Sequence, residues 1–194
     1  MAEAWSRTVH LLAFNGLADW EIGLVAYELN TRVGMPVVTI GFTADATRSG
    51  GGLRIVPDVA LGDVDPAAIS LLILPGGEMW HVLDNQPLRE LLRSLRARGV
   101  PIAAICGATT FLARMGVLDG VMHTSNSLEY LLEMAPGYMG WEKYSDTPAV
   151  SDAGIITAGG DAAVEFAYQI LRELRVYDPK QLDEFAEFWR CRKT

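Results

Sequence analysis

Along most of the chain, continuous apolar runs of strand length alternate with segments whose apolar residues recur at helical spacing. This pattern predicts strands over 8–15, 36–43, 70–75, 100–105 and 155–158. It predicts helices from Asp19, over about 87–98, after Cys106, over 128–134, after 159–161 and over about 179–192. We expect Asp19 and Asp161 to be the N-caps of their helices, Trp20 to face the core, and a short strand to end at 123–126. Strands that alternate with helices form parallel sheets, because each crossover helix returns the chain to the same end of the sheet. The pattern therefore predicts an α/β fold with an open, mostly parallel sheet.

The run at 70–75, Ser-Leu-Leu-Ile-Leu-Pro, is almost entirely apolar, and two glycines, Gly76 and Gly77, follow it. A strand of this composition suits the middle of a parallel sheet that helices cover on both faces. The glycines at 50–52 have a different context, since no helical pattern opens after them. We therefore interpret the segment 49–52 as a tight turn or β-bulge that leads into a short strand, and not as a phosphate-binding loop.

A cysteine lies at the junction between the next strand and its helix. The apolar run at 101–105 ends at Cys106 and Gly107, and a helical pattern then continues until Gly116. A thiol on such a sharp turn is exposed, and the free N–H groups of the helix point towards it. We therefore predict a nucleophile elbow at Cys106. A helix N-terminus lowers the pKa of a cysteine by about one unit, so a reactive thiolate needs a second partner.

Length and charge limit the classes of protein to consider. The chain has 194 residues, of which 50% are hydrophobic, and we expect one domain over 1–194. Its net charge of −8 argues against nucleic acid or an anionic membrane as a partner, since both are bound through basic surfaces. Four arginines do cluster, but they lie opposite leucines on a predicted helix, which indicates a solvated face. They are Arg89, Arg93, Arg96 and Arg98.

The lack of recognisable targeting signals and the cysteine content favour a cytoplasmic protein. No apolar run reaches the length of roughly 18 residues that a membrane helix needs. Residues 1–7 lack the basic start and the cleavage pattern of a signal peptide. The two cysteines, Cys106 and Cys191, form no disulfide framework, which is typical of a reducing compartment. We interpret Cys191 as incidental.

Three strand-to-helix junctions are expected at one edge of the sheet, where open α/β folds bind their ligands. They carry Glu21, the pair Gly76 and Gly77, and the pair Cys106 and Gly107. Backbone N–H groups of such glycines can form an oxyanion hole. Glu21 can stabilise the Cys106 thiolate only if it is protonated, since an ionised carboxylate would repel it. We predict a neutral Glu21; the alternative is an acid that only complements the helix dipole.

Several motifs together resemble the PfpI-type superfamily of class I glutamine amidotransferase-like proteins. They are Ala-Ala-Ile-Cys-Gly-Ala at 103–108, Gly-Val-Leu-Asp-Gly at 116–120, Leu-Pro-Gly-Gly at 74–77 and Ala-Asp-Trp-Glu at 18–21. The group includes intracellular proteases or amidases and the parkinsonism-associated protein. The resemblance implies a flavodoxin-like fold, an open and mostly parallel sheet with helices on both faces, and a homodimer.

The resemblance also implies roles for individual residues. Cys106 matches the elbow nucleophile, Glu21 matches the acid that contacts its sulfur, and Gly76, Gly77 and Gly107 match the backbone donors around it. Members of the group are variously described as proteases, deglycases, glyoxalases, hydratases or stress-responsive proteins. The resemblance is therefore less specific for the reaction than for the fold.

The histidines depart from the pattern of the group. Protease-like members carry a histidine directly after the cysteine, where this chain has Gly107, and others carry one where Asn126 falls. His123 and His81 are the remaining candidates at this edge, and a structural role is the alternative for His123. The histidines show no paired spacing, so we expect no metal site.

Two functions fit these residues. The first is a cofactor-free hydrolase, amidase or glyoxalase-like enzyme, in which the Cys106 thiolate attacks a small carbonyl compound or amide. The second is a non-catalytic stress or redox protein in which Cys106 is reversibly oxidised. Both functions need the same reactive thiol, and both predict a Cys106 pKa below the ordinary value.

Overall fold

The computed structural model describes residues 8–81 and 86–190. Its strands are β1 (Thr8–Ala13), β2 (Val37–Gly41), β3 (Thr47–Arg48), β4 (Arg54–Ile55), β5 (Val59–Ala60), β6 (Ile69–Leu74), β7 (Ile102–Ile105), β8 (Ala149–Asp152) and β9 (Ile155–Ala158). Its α-helices are α1 (Asp19–Tyr27), α2 (Gln86–Ala97), α3 (Ala108–Arg114), α4 (Leu128–Met134), α5 (Ala163–Glu173) and α6 (Pro179–Trp189). A π-helical turn, Glu28–Val33, continues α1.

Seven of these strands form one sheet in the order β5-β2-β1-β6-β7-β9-β8. All its strand pairs are parallel except the pair at one edge, where β8 runs antiparallel to β9. The predicted turn at 49–52 joins β3 to β4, which form a small antiparallel hairpin. The prediction of an open, mostly parallel, flavodoxin-like sheet is confirmed.

The direction of the crossovers places helices on both faces. The chain leaves β1 through α1 to reach β2, and it leaves β6 through α2 to reach β7 in the opposite direction along the sheet. Because parallel crossovers are right-handed, connections of opposite direction cover opposite faces. The central strands β6 and β7 are almost wholly buried between these layers, as their apolar composition predicts.

Helix α2 confirms the interpretation of its arginines as a largely solvated face. Its leucines are buried, whereas Arg93, Arg96 and Arg98, the last just beyond the helix, are exposed. Arg89 differs, since it is half-buried and its guanidinium carbon lies 5.7 Å from the centroid of the Phe111 ring. This contact buries the stem of one arginine against the core.

Two expectations for the start of α1 are wrong. Asp19 is not the N-cap, which is Ala18, and Trp20 does not face the core but is 64% exposed. The Asp19 carboxylate instead accepts hydrogen bonds from the Ser49 hydroxyl and, at 3.0 Å, from the Gly51 N–H. Asp19 therefore holds the turn of the β3–β4 hairpin against the start of the helix.

The carboxyl-terminal third departs most from the predicted pattern. Strand β8 was not predicted; it reaches β9 through a turn in which Ala153 and Gly154 both have positive φ, 47° and 74°. Two such residues are typical of a type I′ hairpin, but alanine is a weak signal for one. Asp161 does not cap α5, whose N-cap is Ala162 and has no side-chain cap.

Some expectations fall outside the described part of the chain. Cys191 and residues 1–7 lie there. Among the residues that the structure does describe, no helix combines the length and the apolar character needed to cross a bilayer.

Candidate active site

Four adjacent strands of the sheet end at the same edge, and each delivers one part of the site. Glu21 follows β1, Gly76 follows β6, Cys106 follows β7 and Gly160 follows β9. These strands are neighbours in the order β1-β6-β7-β9, so residues that are far apart in sequence meet. The chain also reverses its direction along the sheet between β1 and β6, which is where ligands bind in open α/β sheets.

Cys106 occupies a backbone conformation that non-glycine residues seldom adopt. Its φ is 57°, in the left-handed region. Its N–H donates to the Ala158 carbonyl at 3.0 Å, and its carbonyl accepts from the Thr109 hydroxyl at 2.6 Å. A strained conformation of this kind costs about 1 kcal/mol or more and persists only where surrounding contacts fix it. The strand-to-helix junction therefore forms the sharp turn predicted for a nucleophile elbow.

Glu21 is fully buried next to the thiol. Its Oε2 accepts the Gly76 N–H at 2.6 Å, and its Oε1 has no hydrogen-bond donor among the described residues. Oε1 and the Cys106 Sγ lie 3.2 Å and 2.9 Å from one point, the position that a Cβ on Gly160 would take. Burial raises the pKa of Glu21 to about 7, against a lowering by the Gly76 hydrogen bond. The protonated acid expected from the sequence thus has a physical basis.

The pKa of the Cys106 thiol is raised, which is opposite to the direction we expected. Burial is the largest cause, and the charge of Glu21 adds to it. Hydrogen bonds from Asn126 and from the Gly107 N–H lower the pKa, but they do not offset the loss of water. The thiol and the carboxyl titrate as a coupled pair, so the proton on Glu21 decides how readily a thiolate forms.

Asn126 joins the thiol to the loop after β9. Its Nδ2 donates to the Cys106 Sγ at 3.4 Å, and its Oδ1 accepts the Gly160 N–H at 3.0 Å. Any side chain on Gly160 would approach the sulfur within 2.9 Å, so glycine is required for this packing. The sequence predicted Asn126 near the site, but it contained no signal for Gly160.

The three glycines expected as oxyanion donors have different roles in the structure. The Gly76 N–H is donated to Glu21, so it holds the acid and does not face a substrate oxyanion. The Gly107 N–H lies at the thiol, where it stabilises negative charge. Gly77 has a φ of 145°, and a Cβ there would approach Phe14 within 2.8 Å, so it allows the chain to turn against the core.

The backbone at Gly107 is closely surrounded. The position that its Cβ would take is 3.0 Å from the Gly77 carbonyl oxygen, 3.1 Å from Cδ1 of Trp80 and 3.5 Å from the hydroxyl oxygen of Tyr130. The Tyr130 hydroxyl also lies 2.9 Å from Nε2 of His81, which is exposed. The sequence does not identify Tyr130 as a site residue, because the pattern of a short helix does not show which of its side chains face the edge of the sheet.

His123 has the structural role that we gave as the alternative to a place in the site. It is fully buried, its Nδ1 bonds the Val121 carbonyl at 2.7 Å, and its Nε2 bonds the Tyr138 hydroxyl. It forms a single β-bridge with Tyr144 in place of the short strand that we expected to end at 123–126. Both ring nitrogens are therefore occupied, and neither serves the thiol. In the described part of the chain, no group of three or more metal-ligating side chains is placed to hold an ion.

Comparison with known proteins identifies relatives of this chain. The model of the DJ-1/PfpI family matches residues 7–173. A Bacillus subtilis protein, named uncharacterized protease YoaZ, is 37% identical over 97% of this chain and 92% of its own length. The Caenorhabditis elegans glutathione-independent glyoxalase DJR-1.2 is 30% identical over 78% of this chain and 80% of its own. The crystal structure of the Agrobacterium tumefaciens DJ-1 superfamily protein Atu0886 superposes with a TM-score of 0.87 at 34% identity, and covers 95% of this chain and 98% of that one.

Proposed function

Since this chain belongs to the DJ-1/PfpI family, we propose that it is a cofactor-free enzyme whose Cys106 attacks a small carbonyl compound or amide. The relatives named protease and glyoxalase support an enzymatic function of this kind. The observation that carries the proposal is the buried contact between the Cys106 thiol and Glu21, an acid whose pKa of about 7 lets it hold or release a proton near neutral pH.

The pair performs the addition as follows. The Cys106 sulfur bonds to the carbonyl carbon, the thiol proton passes to ionised Glu21, and the electron pair of the C=O double bond moves onto oxygen. The Gly107 N–H stabilises the resulting oxyanion. With an aldehyde, this oxyanion then takes a proton, ultimately from solvent, and the product is a hemithioacetal. With an amide, Glu21 returns the proton to the departing amine, and water then hydrolyses the thioester.

The substrate is small and activated. His123 is occupied by Val121 and Tyr138, so the site lacks the histidine of a Cys-His-acid protease triad. An α-oxoaldehyde needs less activation, because its carbonyl carbon is already electron-poor. We therefore favour α-oxoaldehydes over peptides.

Oxidation of Cys106 is the second candidate function. The sulfur is partly exposed and accepts hydrogen bonds from Asn126 and from the Gly107 N–H. The same donors would stabilise a sulfenate, formed when peroxide transfers one oxygen to the thiol and leaves as water. In this case the protein changes state and does not turn over a substrate.

The two functions separate in one experiment. We expect turnover of an α-oxoaldehyde or a small amide that falls by more than about 100-fold in Cys106→Ser. Cys191→Ser is the matched control and keeps its activity. Activity that survives in Cys106→Ser contradicts the proposal. A wild-type protein that turns over neither class, but whose Cys106 is oxidised by stoichiometric peroxide, identifies the redox function.

We further propose that the protein acts as a homodimer in the cytoplasm. Trp20 lies against the turn at Gly50, and Leu53 follows on the same hairpin; both large side chains are exposed. An apolar surface of this kind favours self-association. Light scattering should give twice the mass of one chain, and Trp20→Glu should halve it; a monomeric wild-type protein contradicts the dimer.

A further inference from the structure

We propose that the Tyr130 hydroxyl donates a proton to the substrate oxygen, and that His81 connects this hydroxyl to solvent. The inference rests on the proposed function, since it assigns a second proton donor to the same addition reaction. It concerns two residues that lie on different elements, Tyr130 on α4 and His81 on the 3₁₀ turn Glu78–His81 after β6.

The Tyr130 hydroxyl borders Gly107, the residue whose N–H stabilises the oxyanion. Gly107 is closely surrounded, since the position that its Cβ would take lies 3.0 Å from the Gly77 carbonyl oxygen, 3.1 Å from Cδ1 of Trp80 and 3.5 Å from the Tyr130 hydroxyl oxygen. Of these groups, the carbonyl only accepts hydrogen bonds, and the Trp80 N–H is donated to the Pro75 carbonyl at 2.7 Å. Among these neighbours, the Tyr130 hydroxyl is therefore the group that can donate to an oxygen of a substrate bound at Cys106.

The ionisation of Tyr130 agrees with this role. Its pKa is raised to about 12, mainly by burial, and charges on Cys106 and Glu21 raise it further. At neutral pH the phenol keeps its proton, and a negative oxygen developing on a substrate at Cys106 is the base that can take it.

His81 forms the second part of the proposed proton path, between the Tyr130 hydroxyl and solvent. Its Nε2 lies 2.9 Å from the Tyr130 hydroxyl, and the histidine itself is exposed. When Nε2 carries the ring proton, it donates to the phenol oxygen and leaves the phenol O–H free to point at the substrate. The exposed ring exchanges protons with water, so it can restore the phenol after each reaction.

The proposed step balances. The sulfur–carbon bond forms, the thiol proton passes to Glu21, and the former C=O electron pair takes the Tyr130 proton. As Nε2 of His81 gives its proton to the phenolate oxygen, Nδ1 takes a proton from water, so the ring stays neutral. The product is a neutral hemithioacetal. Tyr130 would be a catalytic residue and His81 a positioning and relay residue.

The test compares two reactions of the same thiol. Alkylation by iodoacetamide creates no oxyanion, whereas addition to phenylglyoxal does. We expect Tyr130→Phe to lower kcat/KM for phenylglyoxal by about 10- to 100-fold and to change the alkylation rate less than about twofold. The rate of stoichiometric hemithioacetal formation is measured as well, since it does not require turnover.

The controls use a second Tyr–His pair and substitutions of His81. Tyr138→Phe removes a hydroxyl bonded to His123 and should leave both rates unchanged. His81→Gln keeps a hydrogen-bond donor but cannot relay a proton from solvent, so it should lower kcat/KM for phenylglyoxal and leave the alkylation rate unchanged. Added imidazole should restore the rate of His81→Ala.

Three outcomes overturn the inference. They are an unchanged addition rate in Tyr130→Phe, a fall in alkylation that matches the fall in addition, and an absence of phenylglyoxal addition to the wild-type thiol. Failure of the proposed function looks different, because turnover is then absent in the wild-type protein, or persists in Cys106→Ser. Loss of stoichiometric addition in Tyr130→Phe supports the role of Tyr130 even if the enzyme's natural substrate is another carbonyl compound.

Discussion

Among the described residues, two histidine–tyrosine pairs share the same kind of hydrogen bond but have different surroundings. His123 bonds Tyr138 in the interior, where the histidine is 0% exposed and the tyrosine 5%. His81 bonds Tyr130 at the mouth of the site, where the histidine is exposed. Each ring packs edge-on against its partner, with centroids 5.5 Å and 6.1 Å apart.

Burial decides what each pair can do. The interior pair has a third partner, the Val121 carbonyl, so the neutral imidazole uses both nitrogens in structural bonds. Its loss would leave polar groups without water or partner, which is costly. The exposed pair can exchange both its proton and its partner with solvent at little cost. Identical side-chain chemistry thus stabilises the fold in one place and can serve a reaction in the other.

The largest expected difference between the pairs is in stability. His123→Ala should lower the free energy of unfolding by about 3 to 4 kcal/mol, because it opens a cavity and leaves the Val121 carbonyl and the Tyr138 hydroxyl unpaired. His81→Ala should change it by about 0.5 kcal/mol or less. Urea denaturation of both variants measures the contrast. Equal losses would show that the two pairs do not differ in the way proposed.

A smaller effect concerns the pH dependence of folding stability, which His123 and Glu21 change in opposite directions. Burial lowers the pKa of His123, so its contribution to stability is present above its unfolded pKa of 6.5 and is lost as the pH falls through the folded value. Burial raises the pKa of Glu21 from 4.5 to about 7, so its contribution is present below 4.5 and is lost as the pH rises through 7.

Glu21→Gln should therefore remove the loss of stability on the alkaline side, by up to about 3 kcal/mol relative to the wild type at pH 8.5. The decline on the acid side should remain, since His123 and also His10 have lowered pKa values. Thermal unfolding of both proteins between pH 5 and 8.5 tests this. A Glu21→Gln variant with the alkaline decline intact would mean that Glu21 is ionised in the folded protein throughout.

The parts of the fold that could be predicted are those whose pattern is set by local burial. Strand β9 and helix α4 match their predicted bounds, and β6 and β7 follow from continuous apolar runs. Strand β8 was missed because its sequence, Ala-Val-Ser-Asp, is short and half polar, and because Ala153 adopts a positive φ that the tertiary structure imposes.

Some residues of the site could likewise be predicted from the sequence, and others could not. Cys106 and Glu21 could be predicted, because consecutive parallel strands end at one edge and the residues after them must meet there. Gly160 and Tyr130 could not, since their approach depends on loops that pack across the sheet edge. The sequence made His123 a candidate for the site, but it could not show that the ring bonds to Val121 and Tyr138.

The left-handed backbone at Cys106 has a consequence for substitutions at this position. At a φ of 57°, glycine or asparagine has less backbone strain than cysteine. A search for stabilising substitutions would therefore replace this cysteine early. Each such replacement would delete the only thiol at this edge among the described residues. Stability and chemistry therefore favour different residues at position 106.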